Sequence, residues 1–408
     1  MAKRRDALVI SLPLLFLILG IFPVSSIDYQ VAWVPDYWPT ADWQTSSPEA
    51  QGMNSQYLTD LDEYIAEVSW GYSMVSTLII KNGYLVHETY YDDFWDGNHT
   101  RNIFSCTKSM TSTLIGIALT DGNITSLDDA LVDYFADRTI ANLDSRKQQI
   151  SINDLLTMSA GFEWTEWPYT SSESDYVLMT QSPDWVQFVL DKPMEFTPGE
   201  FWEYNTGVSH LLSAIVNVST GMFTQDFAEE RLFSPLGITE YQWETDTEGN
   251  ANGGADLRLR PRDMAKIGFL FLNNGTWDEE QIVPASWVLT ATDSHVALDD
   301  ATGYGFQWWT SPLWSAFSAR GYLGQLIYVF PALNLVVVFT ASTNLLEDHY
   351  LLENYILPAT GYFPGNDPPS PEEIAAIVAI TAAAILVPVT IVSAYLLYRR
   401  RQLLTPSN

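Results

Sequence analysis

The chain has 408 residues, of which 47% are hydrophobic and 13% aromatic, so it can bury a sizeable core and is long enough for one large or two ordinary domains. It carries 50 acidic residues against 19 basic ones, and Cys106 is its single cysteine. Because phosphate binding requires basic patches, the charge predicts that nucleic acid is not a partner. A single cysteine excludes an intramolecular disulfide.

The N-terminus has the features of a secretory signal peptide. Lys3-Arg4-Arg5 precedes an apolar run over 7–24, and Val24-Ser25-Ser26 offers small residues for cleavage. The sequence therefore predicts a signal peptide at 1–26. The alternative is an uncleaved segment that forms a second membrane span.

Hydrophobic periodicity and turn residues predict the elements of the body in chain order. An amphipathic helix is predicted over 56–68, then a hairpin with strands at 74–81 and 84–91 joined by Asn82-Gly83. Further predicted elements are a helix after Ser105, helices over 154–158, 184–191, 208–218 and 261–273, strands over 304–309, 325–330 and 335–342, and a helix over 345–357. This order predicts an α+β fold, in which an antiparallel sheet built from both chain ends is flanked by helices and carries a helical insertion.

The C-terminal segment has the pattern of a membrane anchor. A polar, Pro-rich stalk is predicted over 363–373, and residues 374–398 contain no charge and are long enough to span a bilayer. Arg399-Arg400-Arg401 follows as a stop-transfer signal, which leaves 399–408 as a cytoplasmic tail. The sequence thus predicts a single-pass cell-membrane protein whose body, 27–362, is extracellular.

Ser105-Cys106-Thr107-Lys108 is the motif that carries chemistry. The run after it has helical apolar spacing, and residues three apart on a helix lie on one face, so the serine hydroxyl and the lysine amine can meet. The helix N-terminus favours an oxyanion. A nucleophile with a base beside it is what acyl transfer requires. Cys106 points about 100° away from that face and is predicted to be a small buried side chain.

Two later segments look structural when each is taken alone. The first is a Gly- and Pro-containing loop over 198–207 that includes Tyr204, and the second is a turn over 319–325 that enters a strand. Together with the serine motif, the block over 154–161 and the block over 254–258, they resemble the serine β-lactamase-related hydrolases over about residues 38–345. That family includes class C β-lactamases, D-alanyl-D-alanine carboxypeptidases, esterases and 6-aminohexanoate-dimer hydrolase.

The resemblance implies a β-lactamase/transpeptidase-like fold and an acyl-enzyme mechanism without a cofactor or a metal. It implies that Ser105 is the nucleophile, Lys108 its partner in proton removal and Tyr204 the proton shuttle to the leaving group. The backbone amides of Ser105 and Tyr322 would hold the oxyanion. Further candidates for the substrate pocket are Thr206, Arg320, Gly321, Gln325 and Trp164.

Two departures from the family pattern bear on the substrate. Thr206 stands where the β-lactam-acting members have Asn after the tyrosine, and Ala319 stands where they have a Lys or His that holds a substrate carboxylate. The pattern is similar to the 6-aminohexanoate-dimer hydrolase and esterase branch, which predicts a small-molecule ester or amide substrate. The alternatives are a β-lactamase or D-alanyl-D-alanine carboxypeptidase, and an inactive pocket protein that binds a peptide or glycan. The sequence leaves the oligomeric state open.

Overall fold

The computed structural model describes residues 34–68, 73–92, 94, 96–343 and 348–363. These residues fall within one compact unit that runs from Val34 to Pro368. The predicted signal peptide at 1–26, the predicted span at 374–398 and the tail at 399–408 lie outside the described residues, as does the stalk apart from Phe363. The domain bounds drawn from the sequence stay predictions.

Thirteen strands are assigned in the described residues. They are β1 (Met74–Lys81), β2 (Tyr84–Tyr90), β3 (Arg101–Asn102), β4 (Gln242–Trp243), β5 (Leu257–Leu259), β6 (Thr276–Trp277), β7 (Glu280–Gln281), β8 (Val296–Ala297), β9 (Gly303–Tyr304), β10 (Trp309–Ser311), β11 (Ala316–Gly321), β12 (Gln325–Phe330) and β13 (Leu335–Ala341). Eight of them form one antiparallel sheet in the order β2-β1-β13-β12-β11-β10-β9-β8, and β3, β5 and β4 form a small second sheet.

Twelve α-helices are assigned in the same residues. They are α1 (Ser55–Glu67), α2 (Cys106–Thr120), α3 (Leu131–Tyr134), α4 (Ile152–Leu156), α5 (Asp175–Gln181), α6 (Trp185–Leu190), α7 (Thr206–Thr220), α8 (Thr224–Ala228), α9 (Pro261–Leu272), α10 (Ala285–Ala291), α11 (Asp348–Leu351) and α12 (Leu357–Ala359). Most of the helical segments lie in the chain between β3 and β8, which is the helical insertion that the element order predicts.

The large sheet is built from both chain ends, as predicted. The β1–β2 hairpin turns at Asn82 and Gly83, whose φ angles of 50° and 79° suit this residue pair. β1 then pairs antiparallel with β13, from Lys81 opposite Leu335 to Met74 opposite Ala341. Because both strands are almost wholly buried, this pairing closes the core with residues more than 250 positions apart.

Helices cover the large sheet on both faces. On one face, α1 and the C-terminal helices pack on alternate residues of β12 and β13, such as Tyr328 and Val337, in one buried apolar cluster. On the other face, α9 comes so close that a Cβ on Gly268 would lie 2.6 Å from a methyl carbon of Val336. A glycine in this helix therefore permits the close packing. The motif helix α2 lies on this second side, where Cys106 Sγ donates a hydrogen bond to the Gln325 carbonyl at 3.2 Å.

The structure differs from the predicted elements at three places. The strand predicted over 304–309 is divided into β9 and β10, because Gln307 adopts a left-handed φ of 61° between them. The first three residues of the turn predicted over 319–325 belong to β11, whose polar Ser318 and Arg320 and small Ala319 hide the strand in the sequence. Where the structure describes it, the helix predicted over 345–357 consists of short α-helices on either side of a π-type turn at Leu352–Ile356.

The predicted membrane anchor is corrected. In the ranges that the structure describes, none of the helices has both the length and the apolar character needed to cross a bilayer. By that finding, the prediction of a fold class with an added membrane-spanning helix is wrong, and so is the prediction of a single-pass membrane localisation. The fold class that stands is the β-lactamase/transpeptidase-like α+β fold.

Candidate active site

Ser105 lies at the N-terminus of α2, on a sharply turned backbone. The preceding Phe104 has a φ of 46°, an uncommon conformation for a bulky residue, and its amide donates to the Asn102 side chain at 2.7 Å. The next three amides bond inside the turn, from Cys106 to Ile103 and onward. Within the described residues, the Ser105 amide itself has no hydrogen-bond partner. This leaves the amide available to a ligand at the positive end of the helix.

The small sheet brings a distant segment against this motif. β3 pairs antiparallel with β5, so that Asn102 lies opposite Arg258, and the residues just before β5 pass beside the first turn of α2. A Cβ on Gly254 would lie 2.5 Å from the Thr206 methyl carbon and 3.2 Å from Lys108 Nζ. Only a glycine lets this backbone approach the amine so closely, which is why the block over 254–258 belongs to the site.

Lys108 is buried, with 2% of its surface exposed, and its amine nitrogen has three neighbours. Nζ lies 3.2 Å from Ser105 Oγ, 3.0 Å from Thr206 Oγ1 and 2.8 Å from the Gly254 carbonyl oxygen. Burial lowers the pKa of the Lys108 amine from 10.5 to about 8, although the charges of Glu166 and Asp256 act in the opposite direction. A substantial fraction of the amine is therefore neutral near pH 8, as a base must be.

Because the pKa of Lys108 differs between the folded and the unfolded chain, the free energy of unfolding depends on pH. With a pKa of about 8 in the folded chain and 10.5 as the ordinary value, the unfolded chain holds more protons between those pH values, so stability must rise with pH across that window. Lys108→Met abolishes the titration. We expect the wild type to gain about 3 kcal/mol relative to this variant between pH 8 and pH 10.5, measured as unfolding free energies in denaturant. A difference that stays constant with pH would contradict the shifted amine.

Tyr204 reaches the motif from the loop that leads into α7. Its ring centroid lies 4.8 Å from Lys108 Nζ, and its hydroxyl is near enough to the Ser105 side chain for that neighbour to act on the pKa of the phenol, in the lowering direction. Burial and the negative charge of Glu166 raise the pKa of the Tyr204 phenol well above its ordinary value. At neutral pH the phenol therefore keeps its proton. The structure thus brings together the three side chains that the sequence predicted as a catalytic set.

The end of β11 lies against the backbone just before Ser105. A Cβ on Gly321 would come within 2.2 Å of the Ile103 carbonyl oxygen, so glycine is required for this approach. The next residue, Tyr322, stacks edge-on against Phe104 with 5.7 Å between ring centroids. Like the Ser105 amide, the Tyr322 amide has no hydrogen-bond partner within the described residues. The two amides predicted to bind the oxyanion therefore lie at the start of α2 and directly after β11, where these two elements come together.

Thr206 and Glu166 form the region of the site behind Lys108. Thr206, at the start of α7, lies 2.5 Å through its hydroxyl from Glu166 Oε1 and 3.0 Å through its amide from Glu166 Oε2. Glu166 is 7% exposed. Sequence reasoning predicted Thr206 as a pocket residue but missed Glu166. The available signal was the alternation of this segment, in which Glu166 has the same parity as the buried Phe162 and Trp164, whereas Glu163 has the exposed one.

Three predicted pocket residues have other surroundings. The Arg320 guanidinium lies over the rings of Trp309 and Tyr328 at 5.7 and 5.4 Å, and Tyr328 belongs to the cluster under α1. Through Tyr328 the guanidinium reaches the α1 side of the sheet, and through Trp309 it borders the ring that lies beside Tyr204. Gln325 is 1% exposed and donates to the Leu323 and Ala341 carbonyls.

Trp164 is 5% exposed, and its indole nitrogen donates to Glu166 Oε2 at 2.6 Å. Trp164 therefore holds the Glu166 carboxylate in place and, being buried, does not line the pocket. Across the described ranges of the chain, no three His, Cys, Asp or Glu side chains are arranged to hold a metal ion.

Aromatic rings surround the nucleophile on two sides. On the β11 side, Tyr322 contacts Trp167 and Tyr169, with ring centroids 5.6 and 5.5 Å away. On the other side, Tyr204 lies 6.1 Å from the Trp309 ring and 6.2 Å from the Trp202 ring. Apolar rings with a few placed polar groups are typical of small-molecule sites. Five aromatic residues thus lie on the two sides of the site: Trp167, Tyr169 and Tyr322 on one side, and Trp202 and Trp309 on the other.

Comparison with known proteins shows which fold and which family this chain has. "Putative D-alanyl-D-alanine carboxypeptidase" of Escherichia coli K12 is 27% identical over 214 residues, covering 48% of this chain and 49% of the relative. Lovastatin esterase of Penicillium rubens is 25% identical over 174 residues, covering 39% and 42%. The chain thus spans about half or less of these relatives' lengths.

Among solved structures, "Putative 6-aminohexanoate-dimer hydrolase from Bacillus anthracis" superposes with a TM-score of 0.65 at 20% identity, covering 79% of this chain and 88% of that one. At that identity the likeness shows the fold. The family model for beta-lactamase matches residues 61–359, a stretch that contains all the site residues described above. The chain therefore belongs to the beta-lactamase family.

Proposed function

We propose that this chain is a serine hydrolase that cleaves esters or small amides of neutral, apolar substrates through an acyl-enzyme on Ser105. The observation that carries the proposal is the contact of the Ser105 hydroxyl with the buried Lys108 amine at 3.2 Å, whose nitrogen lies 4.8 Å from the centre of the Tyr204 ring. A serine hydroxyl is a weak nucleophile until a neighbouring base takes its proton. The lowered pKa of Lys108, about 8, makes it that base.

The proposed reaction has two halves. Lys108 accepts the Ser105 proton as Oγ attacks the carbonyl carbon, and the Ser105 and Tyr322 amides stabilise the tetrahedral oxyanion. The intermediate collapses, the carbon–leaving-group bond breaks, and Tyr204 delivers a proton to the leaving group, regaining one from Lys108. Water then attacks the acyl-enzyme with proton transfer to the same groups, which releases the acid and restores Ser105.

The surroundings of Ser105 favour neutral substrates over anionic ones. Ala319, fully buried in β11, stands where β-lactam-acting relatives have the cation for a substrate carboxylate. Arg320 stacks on Tyr328 and Trp309 and has no hydrogen bond to Ser105 in the described residues, so we do not assign it the role of that cation. The buried carboxylate of Glu166 adds negative charge beside Lys108. A carboxylate-bearing substrate would therefore meet aromatic rings and a like charge.

A matched substrate panel tests this proposal. We expect p-nitrophenyl valerate to be hydrolysed with a kcat/KM at least about 10-fold above that of the mono-p-nitrophenyl ester of glutaric acid, whose acyl chain has the same length but ends in a carboxylate. Nitrocefin and a D-alanyl-D-alanine peptide should be poorer still. A preference for either of these two would favour the β-lactamase or carboxypeptidase alternative.

A fluorophosphonate probe tests the enzyme against the inactive pocket protein. We expect the folded wild type to be labelled and the heat-denatured protein not to be. Failure of the folded protein to react, together with no turnover of any ester in the panel, would support the pocket protein that only binds its ligand.

A further inference from the structure

The Glu166 carboxylate is surrounded by hydrogen-bond donors. Oε1 accepts from the Tyr169 hydroxyl at 2.9 Å and from the Thr206 hydroxyl at 2.5 Å. Oε2 accepts from the Trp164 indole nitrogen at 2.6 Å and from the Thr206 amide at 3.0 Å. Two bonds to each oxygen is the full capacity of an ionised carboxylate. A buried carboxylate needs such donors to offset its desolvation, and two of the four come from Thr206 at the start of α7.

This set determines the direction of the bond between Thr206 and Lys108. The Trp164 indole and the Thr206 amide can only donate, and the ionised Glu166 carboxylate can only accept. The single proton of the Thr206 hydroxyl therefore points at Glu166. Thr206 Oγ1 can then only accept from Lys108 Nζ, 3.0 Å away. The Gly254 carbonyl, at 2.8 Å, also only accepts.

The neutral amine has two N–H groups and one lone pair. Both N–H groups are used by Thr206 and Gly254, and the third neighbour of Nζ is Ser105 Oγ at 3.2 Å. The lone pair is thus directed at the hydroxyl whose proton it has to accept. Without the carboxylate, the Thr206 hydroxyl could turn and donate to that lone pair, which would leave Ser105 without its base.

We propose that Glu166 is a positioning residue that acts through Thr206 to direct the lone pair of Lys108 at Ser105. This inference rests on the proposed function and adds a fourth side chain to the proposed set. In the described residues, Glu166 has no hydrogen bond to Ser105; its partners are Trp164, Tyr169 and Thr206. Its effect is on the orientation of the base and on the charge that the base experiences.

The test uses Glu166→Gln, which keeps the shape and removes the charge. We expect kcat to fall about 100-fold, the usual cost of a misdirected catalytic group. We also expect the acidic limb of the kcat/KM profile to move to lower pH, because the negative charge of Glu166 raises the pKa of Lys108. A residue with a merely structural role would not move that limb.

The other groups that face Lys108 are Asp256, Cys106 and Tyr204, and all are unchanged in this variant. Glu203, whose pKa burial raises to about 7, titrates in the same range, so the comparison is repeated with Glu203→Gln in both proteins. Glu163→Gln is the matched control, since Glu163 is exposed on the same segment. It should behave as the wild type.

Thr206 gives a second test that does not depend on the folding of Glu166→Gln. Thr206→Ser keeps the hydroxyl and should stay within about 3-fold of the wild type, whereas Thr206→Val should lose tens-fold in kcat. Equal activity of the two Thr206 variants would overturn the inference, as would a Glu166→Gln profile with an unmoved limb. An inactive, unlabelled wild type would instead defeat the proposed function itself.

Discussion

Ser105→Ala is expected to lower kcat/KM for p-nitrophenyl esters by at least about 10⁴-fold, because loss of the nucleophile removes the acyl-enzyme route altogether. The same variant should not react with the fluorophosphonate. The substitution removes one oxygen at a half-buried position, so the unfolding free energy should change little. Steady-state kinetics, gel fluorescence and denaturant unfolding together measure all three expectations.

Cys106→Ala is the matched control for this variant. Cys106 is the neighbouring potential nucleophile, but it is fully buried and its thiol donates to the Gln325 carbonyl. Burial raises the pKa of the Cys106 thiol, which keeps it in the unreactive protonated form. Labelling should therefore persist in Cys106→Ala. If labelling followed Cys106 instead of Ser105, the assignment of the nucleophile would be wrong.

Lys108→Ala is expected to produce the second largest loss, about 10²- to 10⁴-fold in kcat, since that is the contribution of a well-placed general base. The double variant Ser105→Ala/Lys108→Ala should be no worse than Ser105→Ala alone, because residues that act as one unit are not additive. Near-normal turnover of Lys108→Ala with an intact fold would remove the lysine from the mechanism.

A second buried lysine controls for the loss of a buried amine. Lys147 is fully buried and donates to the Ala141 and Leu190 carbonyls at 2.8 and 2.7 Å, as Lys108 does to Gly254. No contact in the described residues links it to Ser105. Lys147→Ala should therefore lower stability, because it leaves the buried Leu190 carbonyl without this donor, while kcat per folded molecule stays at the wild-type value.

Local patterns in the chain were sufficient to place Ser105 and Lys108 together on one helix and to predict most of the scaffold. The three-residue spacing of Ser105 and Lys108 is a property of any helix, and the Asn82-Gly83 turn forms from its own two residues. The alternation and apolar runs of β1, β12 and β13 likewise predict strands without knowledge of their partners. These features depend on interactions between residues that are close together in the chain, so the sequence alone determines them.

Tertiary structure decided which residues complete the site. Gly254 reaches Lys108 only because β3 pairs with β5, and Glu166 reaches it only through Thr206, 40 positions away in the chain. Arg320 lies on the Tyr328 face of the large sheet because of its register position in β11, and a shift by one residue would have reversed its side. A carboxylate's role depends on the donors that the fold places around it, and no local sequence pattern encodes those neighbours.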